Sequence, residues 1–122
     1  MGERPGRGDR GLRHLALRTR DLAVTERFYV DVLGLKVAFV HQGMLFLETP
    51  RGGDLLNFVA QRGRVAPGAG GLDHFGFRVL GGEWRRVAAR LRRAGARIRG
   101  RRGRYAVYVR DPNGYTVELY RD

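Results

Sequence analysis

Cysteine is absent from this chain of 122 residues, lysine occurs only at Lys36, and no apolar run reaches membrane-spanning length. Each absence excludes something. Without cysteine there is no disulfide, no thiolate metal site and no sulfur nucleophile. A membrane-crossing helix needs about 20 consecutive apolar residues, and none are supplied. The segment from Met1 to Arg10 is rich in Gly and Arg where a secretory leader would be apolar. Residues 1–11 therefore read as a flexible arm, and a cytoplasmic location is expected. A chain of this length can build one core but not two independent ones, so residues 12–122 are expected to form a single domain.

Arginine, by contrast, is abundant. Basic residues number 24 against 12 acidic ones, a formal net charge of +12. They are scattered through the chain, with the densest groups between Arg85 and Arg104. A nucleic-acid binder interleaves basic residues with aromatics on one face. The densest groups do lie close together around the second helix, but composition bias is the leading reading, with an anionic substrate or a polyanion as the alternative; nucleic acid is the weakest of the expected partners.

Hydrophobic periodicity divides the chain into two similar halves. In the first, residues 12–18 alternate as a strand, and Asp21 caps a helix with an apolar stripe that Gly34 stops. Residues 35–40 and 44–48 then form a hairpin around His41-Gln42-Gly43, and residues 54–60 form a last strand. Residues 61–71 are a linker. The second half repeats the order: a strand at 72–79, a helix at 83–94 stopped by Gly95, a strand at 96–101, and a hairpin over Tyr105–Tyr120 turning at Asp111-Pro112-Asn113-Gly114. His14 and His74 stand 60 residues apart; Gly34 and Gly95, Gly53 and Gly114, Asn57 and Glu118 stand 61 apart. The expected fold is α+β: two βαβββ modules, at residues 12–60 and 72–121, forming a half-barrel sheet with helices on its outer face.

Alternation then sorts the strand residues. Leu15, Leu17, Phe75, Phe77, Val107, Val109, Val117 and Leu119 face the helices and make the core. His14, His74, Asn57, Tyr108 and Glu118 fall on the opposite, uncovered face. An acid among apolar neighbours needs a partner, and two histidines at repeat-related positions supply it. His14, His74 and Glu118 thus read as a 2-His-1-carboxylate site for Fe, Mn, Ni, Co or Zn, among which residue type alone does not choose. Arg18, Arg78 and Arg110 share the parity of that face and could orient an anion. His41 falls in a turn and fits no such pattern; Asp111-Pro112-Asn113-Gly114 reads as a plain tight turn.

His14-Leu-Ala-Leu, Phe28-Tyr29 before Leu33-Gly34-Leu35, His74-Phe-Gly-Phe, and Asp111-Pro112-Asn113-Gly114 with Val117-Glu118-Leu119 resemble the vicinal oxygen chelate superfamily. That superfamily holds glyoxalase I, extradiol dioxygenases, fosfomycin-resistance transferases, epimerases and bleomycin-resistance proteins. The resemblance implies a metal-dependent lyase, dioxygenase or thiol transferase acting on a small molecule, with His14, His74 and Glu118 as ligands and Tyr108 as a catalytic hydrogen-bond donor or acid. It also puts Asn57, as a substrate-binding residue, where glyoxalase I and the epimerases carry a fourth ligand. Ala16 stands where fosfomycin-type enzymes have threonine. The alternative is a non-catalytic binding protein of the bleomycin-resistance type. Small members of the superfamily are commonly dimers with exchanged modules, so a homodimer is expected.

Overall fold

The computed structural model describes residues 11–121; the arm expected at residues 1–11 falls, but for Gly11, outside them. Two four-stranded mixed sheets form, each with a helix, in the expected α+β two-module arrangement. The first module contains β1 (His14–Thr19), α1 (Leu22–Glu26, continuing as a π-helix over Arg27–Val32), β2 (Lys36–His41), β3 (Met44–Glu48) and β4 (Leu55–Ala60). The second contains β5 (Phe75–Arg78), α2 (Trp84–Arg93), β6 (Ile98–Arg102), β7 (Ala106–Arg110) and β8 (Thr116–Tyr120). Strand order is β1-β4-β3-β2 in one sheet and β5-β8-β7-β6 in the other.

Local chemistry sets the boundaries. The Asp21 carboxylate accepts from Val24 N at 3.1 Å and starts α1. Gly34, at φ +85°, takes the left-handed conformation that ends the helix. Gln42 and Gly43 both have positive φ, as a two-residue hairpin turn requires. His41 consequently lies at the end of β2, paired with Met44, rather than in the turn, and it is exposed.

One apolar core cluster runs through both modules, including Leu17, Tyr29, Leu47, Phe58, Val87, Leu91, Val109, Val117 and Leu119. Each such side chain, fully buried, contributes about 1.5–3 kcal/mol. The Asp-Pro-Asn-Gly turn does more than reverse the chain. Tyr29 Oη donates to Asp111 Oδ2 at 2.7 Å, Thr19 Oγ1 to Asn113 Oδ1 at 2.7 Å, and Tyr115 Oη to the Arg18 carbonyl at 3.0 Å. These bonds dock the second module onto the first.

Candidate metal centre on the open sheet face

The strand registers place the site residues. Parallel pairing sets Ala16 beside Asn57 in one sheet and Gly76 beside Glu118 in the other, while β7 and β8 set Tyr108 opposite Glu118. His14 opens β1, and His74 immediately precedes β5.

His74 lies between two carboxylates. Its Nε2 is 3.2 Å from Glu118 Oε1 and its Nδ1 is 2.6 Å from Asp73 Oδ2. A neutral imidazole has one N–H and one lone pair, so it can satisfy only one acid; both are met by an imidazolium, or by a cation at Nε2. The hydrogen bond to Asp73, with its charge and then Glu118, accordingly raises the His74 pKa above the usual 6.5. Tyr108 Oη donates to Glu118 Oε2 at 3.3 Å, and the Tyr108 ring stands edge-on to His74 with centroids 5.4 Å apart. Arg102 Nη2 donates to the same Oε2 at 2.9 Å. Partial burial pushes the Glu118 carboxyl up, but Arg102 and then His74 outweigh it and hold the pKa below its ordinary value.

The first module repeats the arrangement with different chemistry. His14 Nε2 lies 2.5 Å from Asn57 Oδ1; an amide oxygen only accepts, so Nε2 carries the proton. The surroundings are aromatic: His14 tilts against Phe46, which stacks on Phe39 with centroids 4.4 Å apart. One open face is therefore apolar around its histidine and the other ionic.

His14 and His74 line one hollow of about 350 Å³, to which β1 and β5 both contribute, yet each ring turns onto its own sheet. Among the described residues no three His, Asp or Glu side chains gather as a metal-binding group. Within one chain the expected triad divides into His74 with Glu118 and His14 with Asn57. The donor chemistry fits a divalent ion at the first pair: two donors converge, and Asp73 fixes the imidazole as a second-layer carboxylate does in metal sites. Arg78 and Arg110 flank Glu118 one rung to either side, paired with Tyr120 and Thr116.

Asp73 and Arg102 were not singled out by sequence reasoning. An acid directly preceding a candidate histidine was an available signal for Asp73. Arg102 had none, because an irregularity between Ile98 and Gly100 breaks the alternation of β6.

Two βαβββ modules define the α+β class, and their uncovered face bears histidine, carboxylate and tyrosine. Residues 11–119 match the family model for the Glyoxalase/Bleomycin resistance protein/Dioxygenase superfamily, and the chain belongs to that family, the vicinal oxygen chelate superfamily. Solved structures agree on the fold. The oxidase ChaP-H2 is 26% identical, with 92% of this chain and 93% of that chain covered at a TM-score of 0.73. A trypanothione-dependent glyoxalase I from Leishmania major is 22% identical, with 92% and 86% covered and a TM-score of 0.74. The fosfomycin resistance protein FosX from Mesorhizobium loti is 19% identical, with 91% and 90% covered and a TM-score of 0.71. No curated protein matches the chain. Among the described residues no helix is long and apolar enough to cross a membrane.

Proposed function

We propose that this protein is a metal-dependent enzyme acting on a small oxygen-bearing, anionic substrate. Its site would be completed in a two-fold homodimer, with His14 from one chain and His74 and Glu118 from the other. The observation that carries the reading is the convergence of His74 Nε2 and Glu118 Oε1 at 3.2 Å on an open face. The half-site at His14 and Asn57, at repeat-related positions, supports the division between chains. Pairing the two open faces of different chains would set an aromatic floor against an ionic one and cover both.

A bound Fe, Mn, Ni, Co or Zn ion would supply Lewis acidity to substrate oxygens. The remaining roles fall to the chain itself. Asp73 orients His74, Arg102 keeps Glu118 ionised, and Tyr108 holds a phenolic proton beside Glu118 that it can donate to a substrate oxygen. Phe39 and Phe46 supply an apolar surface beside His14, while Asn57, Arg78 and Arg110 offer polar contacts to an anionic substrate.

Elemental analysis of protein purified without added metal tests this reading. A stoichiometric divalent ion is expected in the native protein and not in Glu118→Ala. A native protein that neither carries nor takes up such an ion would rule the reading out. The second reading is a non-catalytic binding protein of the bleomycin-resistance type. It is favoured by the bonds that already satisfy the donors within the chain, Arg102 to Glu118 and Asn57 to His14. Small-molecule binding indifferent to chelator and to Glu118→Ala would establish it.

A further inference from the structure

The modules meet along two seams related by the repeat, and only one is sealed. Tyr29, Thr19 and Tyr115 close the first by bonding to Asp111, Asn113 and Arg18. At the other seam the repeat-related positions carry different residues: Arg90 for Tyr29, Pro50 for Asp111, Val79 for Thr19, Gly52 for Asn113 and Asp54 for Tyr115. Proline, valine and glycine side chains cannot make the corresponding bonds. Asp54 turns back into its own hairpin, accepting from Thr49 N at 2.9 Å and Thr49 Oγ1 at 2.8 Å. A polar link does cross, from Arg90 Nε to the Val32 carbonyl at 3.0 Å. It passes over Gly34, where a Cβ would lie 2.7 Å from Arg90 Nη2.

The unsealed seam holds a cavity of about 430 Å³, walled by Leu33, Leu35, Phe77 and Val79, with Arg51 and Arg90 among its polar lining. Small-molecule sites have this size and this mixture of apolar walls with a few polar groups. The cavity borders the helices; none of His14, His74, Tyr108 and Glu118 lines it. The Arg90 Nη groups meet no acceptor among the described residues. Glu83, an acid in the lining, is engaged by Arg86 at 2.8 Å, and Arg78, also in the lining, has contacts of its own.

We infer that this seam is a second ligand site for a small monocarboxylate with an apolar body; it adjoins the hollow lined by His14 and His74, with Leu35, Thr49 and Phe77 in both walls, but contains neither histidine nor Glu118. A guanidinium grips a carboxylate through paired N–H groups, and the leucine and phenylalanine walls accept the hydrocarbon. Such walls call for an apolar body behind the charged head, which a bare inorganic anion lacks. The occupant would touch both modules where the chain leaves them least joined.

Octanoate is the probe, titrated into the full chain by calorimetry. Saturable binding is expected, and 1-octanol, of the same length without the charge, binds at least about tenfold more weakly. Val79→Trp fills the cavity and removes binding. Arg51→Ala, at an exposed position that leaves the core intact, weakens it about threefold. His14→Ala, on the open face, leaves it unchanged. No saturation up to ~10 mM octanoate would overturn the inference. So would equal binding of 1-octanol, indifference to Arg51→Ala, or loss of binding in His14→Ala. Because the open-face variants are read separately, the result stands apart from the metal reading.

Discussion

Asn57 and Glu118 occupy the same place in the two sheets, each bonded to the histidine of its own module: His14 at 2.5 Å and His74 at 3.2 Å. One histidine thus meets a neutral amide and the other an anion. This single difference between repeats makes one half-site a hydrogen-bonded pair and the other a candidate pair of metal ligands.

Restoring the acid in the first module should show what the amide does. Asn57 is only 3% exposed, so a metal-free Asn57→Glu protein buries an extra carboxylate and loses about 1–3 kcal/mol of stability. A divalent ion should bind at least about tenfold more tightly than in the native chain and recover that loss. Chelator competition and thermal unfolding with and without metal measure the two arms; unchanged affinity would count against Asn57 lying at the ion.

Complementation tests the sharing of the site. Inactive His14→Ala and Glu118→Ala chains, co-refolded in equal amounts, should regain about a quarter of the sites, because half the dimers are mixed and each mixed dimer has one intact site. Metal content and activity report the recovery. No recovery in dimers shown to have exchanged subunits would mean that each chain builds its own site.

Tyr29→Phe removes the donor to a buried acid. Burial pushes the Asp111 carboxyl above the usual 3.8, and the bonds from Tyr29, Tyr115 and Asn113 hold that rise in check. With a raised folded pKa, the Asp111 contribution to stability is present below the unfolded value and lost as pH rises through the folded one. Removing Tyr29 Oη raises the folded value further. Tyr29→Phe should therefore lose about 1–3 kcal/mol at neutral pH and less at ~pH 3. Urea unfolding at both pH values decides it; an equal loss at both would show that the Tyr29 bond does not support the ionised acid.

His74 gives a direct titration. In metal-free protein its ring resonances should titrate above the usual 6.5, because Asp73 and then Glu118 stabilise the imidazolium. The stability this pairing adds is fully present below the unfolded pKa and fades as pH rises through the raised folded value. Asp73→Asn should bring the midpoint down, as followed by NMR; a midpoint unmoved by the substitution would remove Asp73 as the orienting group.

The repeat made most of the fold legible. Apolar alternation, the stop glycines and the turn residues act through the local backbone, so they can be read in a single pass along the chain. Contacts between modules cannot. Asp111 and Asn113 looked like parts of a plain turn because their partners, Tyr29 and Thr19, lie 82 and 94 residues away. The open face was readable by parity for His14, Asn57, Tyr108 and Glu118. Arg102 escaped because the break in β6 alternation hid which side it faces. His41 was misplaced by a turn that proved two residues long.

The strand order also dictates when the half-sites come into being. Each histidine reaches its partner only through a parallel ladder, and His14–Asn57 and His74–Glu118 span 43 and 44 residues of chain. The hairpins β2–β3 and β7–β8 close over short loops at small entropic cost, whereas the parallel ladders close long ones. The half-sites are therefore expected to assemble late in folding. A metal ion would be a tenant of the finished sheet, arriving after the chain has its shape, and apo-protein should reach the native fold at the same rate as protein refolded with metal present.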